Sequence, residues 1–257
     1  MPMLNKADVN LHYQTFGDKN NPALIFSNSL GTSYTMWQPQ IDALQNDFFI
    51  ICYDTRGHGQ SSAPEYAYSI EELGQDVIDL LDHLQVKKAN FCGISMGGLT
   101  GQWLAINKPE YFNKIIVSNT AAKIGNKNAW QERADKVRKE GLQLIADTAA
   151  SRWFTEGFIK NHPDIVKKMS DDLAKGSSQG YANCCAALAK ADLREHLKNA
   201  KIPMLVIGGK QDPVTTVVDA QAIVDVAPNA QLATINASHI ANVEKVEDFI
   251  QILRKYF

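Results

Sequence analysis

Six short runs dominated by apolar residues constrain this chain more than any other feature. They are residues 24–27 (LIFS), 48–53 (FFIICY), 89–92 (ANFC), 114–118 (KIIVS), 204–207 (MLVI) and the weaker 232–235 (LATI). A strand with apolar residues on both faces must be covered on both faces, which points to a mostly parallel sheet between helices. Helical patterns separate the runs. Residues 69–85 place Ile70, Leu73, Val77, Leu80, Leu81 and Leu84 at three- and four-residue steps, the stripe of an amphipathic helix. Ser69 and Glu72 form a capping-box pair at its start. Residues 216–226 and 246–256 read as later helices. The alternation predicts a doubly wound α/β fold. It breaks between residues 126 and 194, where only helical patterns occur. The chain is therefore expected to have an α/β core from 1–125 and 195–257, with an all-helical cap, or lid, at 126–194.

Composition removes several classes of function. Lys and Arg number 26 against 28 Asp and Glu, a net charge of −2, so the basic excess of a dedicated nucleic-acid binder is absent. The uncharged stretch 89–107 contains four Gly and is too polar for a membrane span. The N-terminal residues lack the apolar core of a secretory signal. Cys52, Cys92, Cys184 and Cys185 form no C-x-x-C pair. They read as reduced thiols of a cytoplasmic protein, and no metal-ligand spacing accompanies them. No cofactor, nucleic acid or membrane partner is expected.

The chemistry centres on Gly93-Ile94-Ser95-Met96-Gly97-Gly98. The motif follows the run ending at Cys92 and opens a helical stretch, 99–106. A serine on a tight strand-to-helix turn needs small neighbours, and its hydroxyl then stands above the sheet. A hydroxyl is a poor nucleophile near neutral pH, so it requires a base and an acid to orient that base. In serine hydrolases whose nucleophile sits on such a strand-to-helix turn, the chain order is Ser, then Asp or Glu, then His. Of the six histidines only His239 lies after the fifth run, just past the sixth. Asp212 lies just past the fifth, in Gly208-Gly209-Lys210-Gln211-Asp212-Pro213. Strand C-terminal ends are where open α/β sheets build their sites, so Ser95, Asp212 and His239 are expected on one edge. Asp192 is a weaker rival acid, since it falls within the helical region.

Developing negative charge on a carbonyl oxygen needs N–H donors. The expected pair is the backbone N–H of Met96 and that of Leu30, in the loop Asn28-Ser29-Leu30-Gly31-Thr32. His58, in Asp54-Thr55-Arg56-Gly57-His58-Gly59-Gln60-Ser61, precedes the serine and sits among glycines. It is read as part of a structural turn.

These motifs identify a resemblance. Through the 54–61 turn, 93–98, 209–212 and His239, the chain resembles the α/β-hydrolase superfamily over essentially its whole length. Through Phe26-Ser27-Asn28-Ser29-Leu30-Gly31-Thr32, residues 119–125 (NTAAKIG) and residues 238–244 (SHIANVE), it is similar to the 3-oxoadipate enol-lactonases of aromatic catabolism. The resemblance implies cofactor-free hydrolysis of a small lactone that carries a carboxylate. It also implies pocket roles for Trp130, as an apolar wall and N–H donor, and for Arg133, as partner of that carboxylate. Lys123, Lys136 and Arg138 are further cations near the lid.

Two other readings use the same residues. A general carboxylesterase or perhydrolase would prefer neutral esters on the same triad. A hydrolase-like ligand receptor would keep the pocket without turnover. A haloalkane dehalogenase would carry Asp where this chain has Ser95.

Overall fold

The computed structural model describes residues 2–257. Eight strands form one sheet: β1 Met3–Asn5, β2 Asn10–Phe16, β3 Ala23–Ser27, β4 Phe49–Tyr53, β5 Ala89–Ile94, β6 Phe112–Ser118, β7 Met204–Gly209 and β8 Ala230–Ile235. Their order is β1-β2-β4-β3-β5-β6-β7-β8. The six strands from β4 to β8 across the sheet pair in parallel, while β1 and β2 pair antiparallel. The six parallel strands fall on the six apolar runs. Leu24, Ile25 and Phe26 have no exposed surface on either face. β8, whose run is weakest, lies at the sheet edge and is only partly buried.

The two antiparallel strands have no such signature. β2 reads NLHYQTF, and its buried His12 is matched by Asp54 at 2.8 Å rather than by apolar neighbours. Hydropathy alone does not register a polar residue buried by pairing.

Helices cover both faces. α1 Gln38–Leu44, α2 Ile70–His83 and α3 Met96–Asn107 come first. The segment between β6 and β7 follows with α4 Lys127–Glu140, α5 Gln143–Asp147, α6 Ala149–Trp153, α7 Glu156–Asn161, α8 Pro163–Ala174 and α9 Ser178–Lys190. α10 Val217–Val226, α11 Ala241–Glu244 and α12 Val246–Tyr256 complete the chain. At the start of α2 the Ser69 N–H donates to Glu72 Oε2 at 2.9 Å, and the Glu72 N–H donates to Ser69 Oγ at 3.3 Å. Among the described residues no helix is long and apolar enough to cross a membrane. All four cysteines are buried free thiols.

Register sets up the functional edge. Ser27 pairs with Gly93, Ile94 with Ser118, Ser118 with Ile207, and Gly209 with Ile235. The parallel strands therefore end level, and the loops after β3, β5, β6, β7 and β8 meet at one edge.

The all-helical segment between β6 and β7 seats on this edge. α9 crosses the 54–61 turn where Gly180 lies on Gly57, which has φ +77°. A Cβ on Gly180 would overlap the Gly57 backbone, which has no flexible end to move aside. Asn183 Nδ2 holds the same crossing by donating to the Pro64 carbonyl at 2.8 Å. Gly180→Ala is expected to lower stability by about 1–3 kcal/mol through overpacking, read as a lower midpoint in thermal unfolding.

Candidate active site

The turn from β5 into α3 holds Ser95 at φ +55°, ψ −114°, a backbone conformation that L-residues rarely occupy. Such strain costs about 1–3 kcal/mol and persists only where neighbours over-determine it. Here they do. The Ser95 N–H donates to the Ser118 carbonyl at 3.0 Å, and the Ser95 carbonyl accepts from Leu99 N–H at 2.9 Å and Thr120 Oγ1 at 2.8 Å. Gly97 N–H donates to the Asn28 carbonyl at 3.0 Å. A Cβ on Gly93 would overlap the Gly97 carbonyl, and one on Gly97 would overlap the Ser27 carbonyl. Both glycines are required because backbone lies directly against them.

Ser95, His239 and Asp212 come together from three loops. Ser95 Oγ lies 2.9 Å from His239 Nε2, and His239 Nδ1 lies 2.8 Å from Asp212 Oδ2. All three residues are buried. Asp212 Oδ1 accepts the Val214 N–H at 2.8 Å and the Thr215 N–H at 3.1 Å. Oδ2 also accepts Thr215 Oγ1 at 2.9 Å and Asn119 Nδ2 at 3.0 Å. Burial pushes the Asp212 carboxyl up. The hydrogen bond and charge of His239, with the bonds from Asn119 and Thr215, outweigh that and hold it below the usual carboxylate value. The acid is thus kept as an anion against the imidazole.

Asn119 was not singled out for a role by sequence reasoning. It sits at the end of β6 with φ +47°, and its amide bridges Asp212 and the Ser238 carbonyl, the latter at 3.0 Å. It lies directly after an apolar run and heads the 119–125 stretch, and no spacing in the sequence marks its amide as a partner of Asp212. Asp192, the rival acid, lies elsewhere. It is bonded to Lys123 at 3.1 Å and to Arg194, whose charge-assisted bonds hold its carboxyl far below the ordinary range.

Leu30 lines the same cavity as Ser95, and Met96 is the first residue of α3. Among the described residues neither backbone N–H has an acceptor within the protein. The loop bearing Leu30 is fixed from both ends. Asn28 Nδ2 donates to the Tyr53 carbonyl at 2.9 Å, and Asn28 Oδ1 accepts Trp37 Nε1 at 3.0 Å. Gly31 N–H donates to His58 Nε2 at 2.9 Å. His58 therefore supports this loop and does not reach Ser95. Its Nδ1 lies 3.3 Å from the Arg56 carbonyl, the arrangement of a neutral ring protonated at Nδ1.

The cavity over Ser95 measures about 210 Å³. Its walls include Trp130, Arg133, Arg152, Trp153, Tyr181 and Leu188. Trp130 lies in the wall as expected, but its indole N–H donates to the Ile124 carbonyl at 2.6 Å. It is an apolar surface here and not a free donor, because the indole is what closes the loop before α4. The Arg133 guanidinium carbon lies 4.9 Å from the centre of the Trp130 ring. Arg152, a residue without any sequence signal, is the second cation in the wall. Burial, followed by the charge of Arg133, holds its guanidinium below its ordinary value. Among the described residues neither arginine forms an ion pair with a carboxylate. Two close cations without an anion make the cavity attractive to a carboxylate. Lys123 is paired with Asp192, Arg138 donates to Asn183 Oδ1 at 3.1 Å, and Lys136 is exposed. None of these three lines the cavity. Among the described residues no group of His, Cys, Asp and Glu side chains is placed to hold a metal ion.

A family model for the α/β hydrolase fold matches residues 22–246. This chain belongs to the α/β-hydrolase family. It is 60% identical over 246 residues to 3-oxoadipate enol-lactonase 2 of Acinetobacter baylyi, covering 96% of this chain and 92% of that protein. It is 46% identical to 3-oxoadipate enol-lactonase 1 of the same organism, over 96% and 93% of the two chains. The crystal structure of the enol-lactonase from Burkholderia xenovorans LB400 superposes with a TM-score of 0.96 at 39% identity, covering 99% of this chain and 98% of that one.

The support that His58 gives this hydrolase depends on pH. Burial lowers the His58 pKa, and the Arg56 carbonyl and Asp54 charge oppose that only in part. A lowered folded pKa means a contribution present above the unfolded value of about 6.5 and lost as pH falls toward the folded one. Folding stability is expected to fall below about pH 6.5. His58→Gln, which keeps an acceptor but does not titrate, is expected to reduce that slope when unfolding is followed at several pH values.

Proposed function

We propose that this protein hydrolyses 3-oxoadipate enol-lactone to 3-oxoadipate through an acyl-enzyme on Ser95. The observation that carries the reading is the unbroken chain from Ser95 Oγ to His239 Nε2 and from His239 Nδ1 to Asp212, opening into a cavity with two arginines that have no carboxylate partner among the described residues. The enol-lactonases to which the chain is similar supply the substrate, a ring ester with a free carboxylate.

The geometry gives each residue a task. His239 Nε2 takes the proton of Ser95 Oγ as the oxygen attacks the lactone carbonyl, and Asp212 stabilises the resulting imidazolium. The Leu30 and Met96 N–H groups receive the oxyanion. The ring C–O bond then breaks, and His239 returns the proton to the leaving enolate oxygen. The leaving group stays tethered, because it belongs to the same molecule as the acyl group, and tautomerises to the ketone. Water, deprotonated by His239, cleaves the acyl-enzyme and frees Ser95. The product has one more carboxylate than the substrate.

Arg133 binds the substrate's carboxylate from the cap, with Trp130 as the apolar surface beneath it. The helical segment 126–194 acts as a lid domain over the hydrolase core. With no charged group of the substrate left to water, the lid favours a small carboxylated lactone over a bulky neutral ester.

The test is steady-state hydrolysis of the enol-lactone, followed by loss of its ultraviolet absorbance. Ser95→Ala is expected to lower kcat by at least about a thousandfold. Arg133→Ala is expected to raise KM for the lactone roughly tenfold or more, the scale of a lost charged hydrogen bond, and to spare a neutral aryl ester. Equal losses on both substrates would remove the carboxylate role of Arg133. A folded parent protein that turns over neutral esters and not the lactone would replace this reading with a general carboxylesterase.

A further inference from the structure

The loop that carries His239 is held from two sides. On the core side the Ser238 carbonyl accepts Asn119 Nδ2, and the Ala237 carbonyl accepts the Gln211 N–H at 3.0 Å. On the cap side the Ser238 N–H donates to Glu244 Oε2 at 3.0 Å, and the Ile240 N–H donates to the Trp153 carbonyl at 3.0 Å. The residues immediately before and after His239 are thus both tied toward the cap.

Glu244 is the bridge. Its Oε2 also accepts the Thr155 N–H at 3.3 Å, and its Oε1 accepts the Thr155 hydroxyl at 2.5 Å. Thr155 in turn caps α7 by accepting the Phe158 N–H at 3.3 Å. Among the described residues no cation pairs with Glu244, so its half-buried carboxylate is spent on one catalytic loop and one cap segment. That segment, 152–155, includes Arg152 and Trp153, both in the cavity wall.

We propose that Glu244 and Thr155 are positioning residues for His239, forming a latch between the cap segment 152–155 and the loop 238–240. With the latch closed, the imidazole lies between Ser95 and Asp212. A ligand that contacts Arg152 or Trp153 steadies the segment, and through Glu244 it steadies the base. Linkage makes the effect reciprocal: an aligned His239 loop favours a seated cap wall. The proposal rests on Ser95 and His239 as nucleophile and base, and not on which ester is cleaved.

The experiment compares Glu244→Ala, Thr155→Val, the double variant and Glu244→Gln with the parent protein. Each is assayed for labelling of Ser95 by a fluorophosphonate, for hydrolysis of p-nitrophenyl acetate across pH, and for thermal unfolding. Each single loss is expected to lower kcat about tenfold with little change in KM, and the double variant no further than the larger single loss, as coupled residues behave. The acid limb of the pH profile is expected to move down, because the imidazolium loses part of the support of Asp212. Glu244→Gln keeps one oxygen for the two N–H donors and is expected to recover most of the rate. Losses that multiply in the double variant, or a lowered unfolding midpoint with an unchanged pH profile and kcat, would overturn the latch. A parent protein that the fluorophosphonate does not label would instead overturn the nucleophile and base themselves.

Discussion

The strained backbone of Ser95 is the constraint on which the rest of the site depends. A residue at φ +55° between a strand and a helix projects its side chain off the end of the sheet. It stays there because the Ser118 carbonyl, Thr120 and the Asn28 carbonyl hold the turn from both neighbouring strands. Gly97 lets the turn approach the end of β3 to backbone contact, and Gly93 lets the turn close on its own backbone. The strain at one residue is thus offset by the cohesion of β3, β5 and β6, which hold Ser95 at the end of the sheet.

Electrostatics around this turn follow two opposite rules. Charges beneath the site are buried and compensated. Asp212 has four donors in addition to His239, and Arg56 is paired in bidentate fashion with Asp76 at 2.6 and 2.7 Å. Groups left unpaired in a low dielectric would cost several kcal/mol, so these networks are closed. Above the site the rule is reversed. Arg133 and Arg152 share a wall without a carboxylate between them, and the charge of one lowers the pKa of the other.

The helical segment between β6 and β7 lines much of the cavity over Ser95 and is held to the rest of the chain by a few specific contacts. Gly180 on Gly57 and Asn183 on Pro64 anchor α9, while Glu244 and Trp153 join the α6–α7 junction to the His239 loop. The loop of His239 is therefore tied both to the sheet edge and to the α6–α7 junction, whereas the Ser95 backbone is held at the sheet edge.

The sequence by itself determined the six parallel strands and the candidate residues of the site. Six runs dominated by apolar residues point to strands in a covered sheet, and Gly93-Ile94-Ser95-Met96-Gly97 after one of them points to a tight turn. Chain order then set His239 apart from His58, and the place just past the fifth run favoured Asp212 over Asp192, which falls in the helical region. What the tertiary structure decided lies where a residue's role is set by a neighbour distant in sequence. β2 was hidden because His12 is buried by pairing with Asp54 and not by hydrophobicity. Asn119, Arg152 and Glu244 stand in no motif with a chemical meaning of its own, and each gained its contacts from loops that only the fold brings together. Trp130 shows the same limit from the other side: its place in the wall was legible, but the partner of its N–H was not. Periodicity and spacing encode which face is buried and which loops share an edge. They do not encode which donor meets which acceptor, because hydrogen bonds are directional and short in range, and a shift of an ångström reassigns them.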